Sequence, residues 1–224
     1  MKKYGLSLLI LLMFAPLVMS AKGNAAPDTI SARRAFLELP AHVIDLLPQE
    51  TRLDMVAYWD VDSIWDAPNE FAGISKLTAL TPDYAEVSIT PVSTMQIKVL
   101  PYGKDGNVVM TVYTTGGEGE SKDSDIRFYD ASMKELDASK FFKTPLLKDF
   151  FKFEKGSKMK MKDIEEMMPF YTIDFTADPE KNILTGVLTP DDFLTVEDMK
   201  LVTLYLKPSI VYQWDGKRLK LMDK

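Results

Sequence analysis

The sequence predicts an α+β fold in which N-terminal helices pack on antiparallel β-meanders, with two tandem helix-plus-meander units as the finer alternative. Three observations carry this expectation. Residues 31–65 place apolar side chains at helical intervals, interrupted by Pro40 and Pro48. From about residue 77 the pattern changes to alternating apolar and polar residues, the signature of half-buried strands. Finally, "SDIRFYDASMKEL" (124–136) and "SIVYQWDGKRLKL" (209–221) each run an aromatic strand into a turn and then a leucine.

The helical part divides at its prolines, because proline inside a helix deletes a hydrogen bond and clashes with the preceding turn. Helices are expected near 31–38, 41–47 and 51–65. "TRLD" at 51–54 has capping-box spacing, and Leu53, Met55, Val56, Ala57 and Trp59 form a broad apolar face.

Strands follow. In "TMQIKVLPYG", Met95, Ile97 and Val99 share one face, while Gln96 and Lys98 share the other. "KDGN" (104–107) carries the Asp-Gly signal of a tight hairpin, with "VVMTVYTT" as the returning strand. "GGEGESKDSD" (116–125) reads as a polar loop before the strand "IRFYD". Residues 137–168 read as irregular and helical, with "MKDIEEMM" stopped by Pro169. "FYTIDFTADPEKNILTGVL" is a second hairpin. "TVED" (195–198) repeats the capping-box spacing, and a last hairpin turns at Asp215-Gly216.

Whether the two halves are copies is left open by the face pattern. Aligning Asp130 with Asp215 sets Tyr129 against Trp214. The apolar face of the first strand, however, is Ile126 and Phe128, and that of the second is Ile210, Tyr212 and Trp214. A one-residue slip exchanges the two faces of a strand. Burial is expected for Phe128 or Ile126, and for Trp214 or Tyr212.

The N-terminus reads as an address. Lys2 and Lys3 precede the apolar run "LSLLILLMFAPLVMS" (6–20), and small residues follow at Ser20, Ala21, Ala25 and Ala26. This is the pattern of a secretory signal peptide. The expected organisation is a signal peptide over 1–21, a flexible leader over 22–30, and one α+β domain over 31–224, with 31–136 and 137–224 as its sub-units. The protein is thus expected to be exported, either periplasmic or secreted, with no membrane insertion after cleavage. A mature N-terminus between Ala21 and Pro27 follows.

Composition narrows the chemistry. The net charge is −6, and loss of Lys2 and Lys3 makes it more negative by two. Such a chain repels nucleic-acid backbones, so no nucleic-acid partner is expected. With no cysteine, disulfides, thiolate ligands and thiol nucleophiles are excluded. His42 is the only histidine, lying in the apolar "LPAHVIDLLP", and no "GxSxG" elbow accompanies it. It reads as structural or superficial. No catalytic residue, metal site or cofactor is assigned.

Paired-carboxylate chemistry survives on residue type. The most suggestive cluster is Asp60, Asp62 and Asp66 among the aromatics of "YWDVDSIWD", a composition shared by sugar sites and by solvated helix ends. The 116–125 loop lacks a phosphate-binding signature and matches no calcium loop. Lys152, Lys155, Lys158, Lys160 and Lys162 gather around "KGSKMKMKD". In an extended chain the last three share one face, suited to an anionic partner or to protecting a sheet edge.

The segments "LPAHVIDLLPQETRLDMVAY", "SKLTALTPDYAEVSIT", "SDIRFYDASMKELDASKF" and "PSIVYQWDGKRL" together resemble a domain-of-unknown-function family of exported proteins found in Bacteroidales. The resemblance spans nearly the whole chain after the signal segment. It implies no activity and transfers no catalytic residue. The expected function is therefore a binding or structural module with a protein or glycan partner. A carboxylate-based hydrolase acting on glycans and a protein-inhibitor-like scaffold are the alternatives.

Overall fold

The computed structural model describes residues 29–69, 71, 73–117, 119–190 and 194–222. The expected signal peptide and all but the last two residues of the leader lie outside them.

Helix α1 (Ala32–Glu38) starts at Ser31, whose hydroxyl accepts the Arg34 N–H at 3.3 Å. Ala32, Ala35 and Phe36 form its buried stripe. It ends before Pro40, because the residue preceding proline is driven out of the helical region. The helix expected over 41–47 is a single 3₁₀ turn at Ala41–Val43. Pro48 drives the residue before it out of the helical region and so closes the stretch from its C-terminal side.

Helix α2 (Gln49–Trp59) begins directly after Pro48. "TRLD" is therefore inside the helix and caps nothing. The helix stops at Trp59 rather than 65, and Asp62, with φ of +55°, turns the chain. Its inner stripe is Arg52, Met55, Val56 and the half-buried Trp59, whereas Leu53 and Ala57 face solvent. Arg52 belongs inside because its Nη1 donates to the carbonyls of Phe36 (2.6 Å) and Leu39 (2.9 Å). These acceptors are orphaned where α1 ends, and a cation there also complements the helix dipole.

A seven-stranded antiparallel sheet follows in chain order: β1 (Ala67–Pro68), β2 (Ile74–Leu80), β3 (Tyr84–Thr90), β4 (Ser93–Tyr102), β5 (Gly106–Thr115), β6 (Asp123–Tyr129) and β7 (Glu135–Leu136). The β4–β5 turn is closed by the Tyr102–Gly106 pair. The turn thus holds three residues, with Gly103 at φ +68° supplying the left-handed position. Asp105-Gly106 is not the central pair of a two-residue turn.

Short 3₁₀ turns at Ala138–Lys140 and Leu147–Phe150 lead to α3 (Met161–Met167). A second antiparallel sheet then forms from β8 (Ile173–Ala177), β9 (Ile183–Leu188), β10 (Ile210–Trp214) and β11 (Leu219–Leu221). Helix α4 (Val196–Thr203) lies between β9 and β10 in the chain. Its N-cap is Thr195, whose hydroxyl accepts the Asp198 N–H at 3.1 Å, so the "TVED" cap forms as expected.

The large sheet is the middle layer. Met95, Ile97 and Val99 of β4, with Ala85, Val87 and Ile89 of β3, pack against Phe36, Leu39, Met55 and Val56 of the helical segment. The opposite face presents Leu100, Val108, Met110, Val112 and Phe128 to the second sheet. Phe128 and Tyr129 are consequently both fully buried, on opposite sides. The single apolar face expected for this strand does not exist where both sides are covered. In the second half, Ile210, Tyr212 and Trp214 alternate as expected, with Val211 and Gln213 only half-buried.

The layers are stitched by side chains. Phe141 stacks between Phe128 (5.0 Å) and Trp214 (6.3 Å), and Trp214 Nε1 donates to the Pro101 carbonyl at 2.6 Å. The β8 backbone is an edge whose N–H groups meet the large sheet instead of another strand. Phe175 N donates to Ser124 Oγ and Ala177 N to Gln96 Oε1, both at 2.9 Å. An edge satisfied this way cannot template pairing with another chain.

Candidate functional site

The first candidate is the corner where α2 hands the chain to β1. Tyr58 and Trp65 stack at 5.4 Å with an interplanar angle of 16°, closing the loop between them. Around that stack the chain leaves large apolar side chains in solvent: Tyr58 is 45 % exposed, Val61 70 % and Ile64 58 %. Phe71, at the tip of the β1–β2 hairpin, is 79 % exposed. Scattered exposed apolar residues are ordinary, but their concentration within one loop and the next hairpin makes this corner a candidate contact surface.

The three aspartates of this corner do not form a catalytic pair. Arg33 holds Asp60 bidentately, at 2.8 and 2.5 Å, and keeps its carboxyl below the usual range. Lys76 holds Asp66 at 2.8 Å across the β1–β2 pair. Asp62 occupies the left-handed turn position and is exposed. Two of the three carboxylates thus fix the loop that carries Val61 and Ile64. Their role is positional.

A second site could not be read from the sequence. A hollow of about 210 Å³ opens where the helical layer stops short of β5 and β6. His42 and Asp45 line it from the chain between α1 and α2, and Thr111, Tyr113, Asp125 and Arg127 line it from the sheet. The only histidine and two carboxylates thus meet one space. Asp125 is already engaged by Arg127 Nε at 2.6 Å. The volume also falls below the ~300–1,000 Å³ common for ligand pockets.

Of the expected 116–125 loop, residues 123–125 are already in strand β6, and just before it Thr189 Oγ1 donates to the Lys122 carbonyl at 2.6 Å. Lys158 and Lys160 lie in irregular chain and Lys162 on α3, so no extended face aligns them and no sheet edge is protected by them. Among the described residues, no group of three metal-ligating side chains converges. Nor is any described helix long and apolar enough to cross a membrane.

Between the sheets lies a buried polar network. Lys98 Nζ donates to Asp83 Oδ2 (2.8 Å) and to the Pro179 carbonyl (2.9 Å), with its side chain fully removed from solvent. Nearby, Glu86 accepts from the Tyr84 hydroxyl at 2.7 Å and from Gln96 Nε2 at 2.9 Å. Burial pushes Glu86 up, but these bonds and one from Thr78 outweigh it and hold the carboxyl below its ordinary value. Every member has a partner within the protein, as a structural network requires.

A family model described as "Protein of unknown function (DUF3256)" matches residues 28–219. The chain belongs to this family. No curated protein matches it. Among solved structures, it is similar to one described as a domain of an uncharacterized protein from Porphyromonas gingivalis W83. The TM-score is 0.72 at 20% identity, covering 86% of this chain and 98% of that one. At that identity the likeness establishes the three-layer fold and nothing about a ligand.

Proposed function

We propose that this member of the family is an exported binding module that docks a protein partner through the α2–β1 corner. The observation that carries the reading is the Tyr58–Trp65 stack with Val61 and Ile64 held in solvent beside it. Tyr and Trp supply large contact area at low entropic cost and dominate interface hot spots. Exposed aliphatic side chains flanking the rings favour a protein over a sugar, whose recognition needs a ring face with hydroxyl partners. The ion pairs at Asp60 and Asp66 brace the ends of the loop, which lowers the ordering cost of binding.

The hydrolase reading draws support only from Asp45 and Asp125 sharing the small hollow near His42. Its size and the Asp125–Arg127 pair count against it.

The test is affinity capture from the envelope of the native host, comparing wild type with a Val61→Asp/Ile64→Asp double variant at equal folded abundance. A partner retained by wild type and lost by the variant supports the corner. A partner held equally by both removes it.

A further inference from the structure

On the far side of the molecule, the 139–149 segment and the β10–β11 hairpin enclose a cleft of about 510 Å³. Lys140, Lys143, Lys148, Arg218 and Lys220 line it, and Asp149 is the single carboxylate among its lining residues. Lys220 is occupied by Asp215 at 2.7 Å. The other four cations make no ion pair among the described residues. That concentration runs against a chain whose net charge is −6.

The walls are fixed by the fold. Leu219 N donates to the Phe141 carbonyl at 2.7 Å, and the Tyr212 hydroxyl donates to the Lys143 carbonyl at 3.2 Å. The Asp149 carboxylate accepts the Leu146 N–H at 2.8 Å, and Lys207 Nζ reaches the Asp149 carbonyl at 2.7 Å. The one acidic side chain is therefore spent on a backbone turn, and the segment bearing the lysines is tied at both ends. Phe141, Phe142, Tyr212 and Leu219 give the cleft an apolar component. A neighbouring hollow shares Lys143, Thr144 and Arg218 and adds Ser124 and Asp125, the latter held by Arg127 at 2.6 Å.

We infer that this cleft binds a small molecule of ring-containing body carrying two or more oxyanion groups, of the size of an acidic disaccharide. Its volume lies within the common range for small-ligand sites. Arg218 offers a planar fork to a carboxylate, sulfate or phosphate, while the lysines act as point charges that tolerate spacing differences. Apolar floor and cationic rim together match a ligand with a carbon ring and charged substituents. The site is remote in sequence from the α2–β1 corner, and either can fail without the other.

Calorimetric titration at low salt tests it with four probes: a sulfated heparin disaccharide, digalacturonate, myo-inositol hexakisphosphate and neutral cellobiose. Wild type and a Lys200→Glu control, altered on exposed helix α4, should bind at least one anionic probe and not cellobiose. The Lys143→Glu/Arg218→Glu variant should lose at least tenfold in affinity, and binding should weaken with added salt. The preferred probe identifies the oxyanion. Folding of the variant is checked by its melting transition, and Lys143→Gln/Arg218→Gln serves if the reversal unfolds it. No binding of any anionic probe at millimolar concentration, equal binding of cellobiose, or unchanged affinity in a folded variant overturns the inference.

Discussion

The ammonium of Lys98 lies 2.8 Å from Asp83 Oδ2, with the lysine side chain wholly buried and the aspartate half in solvent. The pair sits on the face of β4 that looks toward the second sheet, and the Pro179 carbonyl completes it from the β8–β9 turn. A charge therefore joins the two sheets where alternation alone would have left a polar face in water.

Removing Asp83 strands that charge, whereas removing Lys98 removes the charge itself. Breaking a buried pair from one side costs about 3–5 kcal/mol. Because Asp83 is half-exposed, Asp83→Ala is expected to cost less, about 2 kcal/mol. Lys98→Met keeps the stem volume and is expected to cost under about 1 kcal/mol. Urea denaturation of both variants checks the order, and a more damaging Lys98→Met would contradict this account of the pair.

Arg52 should be the most sensitive polar residue of the helical layer. Arg52→Ala leaves the Phe36 and Leu39 carbonyls without donors and opens a hole beneath α1, a loss of about 2–4 kcal/mol. Phe128→Ala breaks the stack with Phe141 and is expected to cost about 3–5 kcal/mol. Thermal and chemical melts decide both values, and transitions that barely move would mean that the layers are held otherwise.

Two carboxyls give opposite pH signatures. Glu86 is held below its ordinary value of 4.5, so its stabilisation is present above that value and is lost as pH falls through the folded pKa. Glu86→Gln should therefore destabilise at neutral pH, with the deficit shrinking as pH falls below the ordinary value and through the depressed folded pKa. At Asp174, burial raises the pKa above 3.8, against the pull of Lys122 at 3.9 Å. Its ionised form costs stability at neutral pH. Asp174→Asn should then stabilise near pH 7 and lose that gain as pH falls through the raised folded pKa, with none left below the ordinary value. Stability measured from pH 3 to 7 separates the two, and parallel curves would contradict the assignment.

His42 is exposed on the 3₁₀ turn. His42→Ala is expected to change stability by no more than about 0.5 kcal/mol and to leave partner capture intact. Loss of capture with normal folding would move the site to the hollow beside Asp45.

Much of this architecture was legible because period and punctuation are local. The change to alternation near residue 77 located the large sheet, and Pro169 ended α3. What failed depended on what lies on both sides of an element. The stripe of α2 was misjudged because Arg52 looks polar in isolation yet satisfies carbonyls of α1. Phe128 beside Tyr129 looked like a face conflict because the cover over both sides of β6 comes from distant segments. The Asp60–Asp62–Asp66 cluster was visible as a composition, but the ion pairs that commit Asp60 and Asp66 involve Arg33 and Lys76, which spacing does not announce. The cationic cleft joins residues 140–148 to 218–220, a juxtaposition set by tertiary packing against the β10–β11 hairpin.

The central claim is that the α2–β1 corner is a protein-docking surface. Site-specific photo-crosslinking in the native host tests it most directly, with a photoreactive amino acid placed at Ile64 or, for comparison, at Val196, which is somewhat more open to solvent on α4. The account predicts one discrete adduct of defined mass from position 64 and none from position 196. Identical adduct patterns from both positions, or none from 64 while another surface yields one, would contradict it.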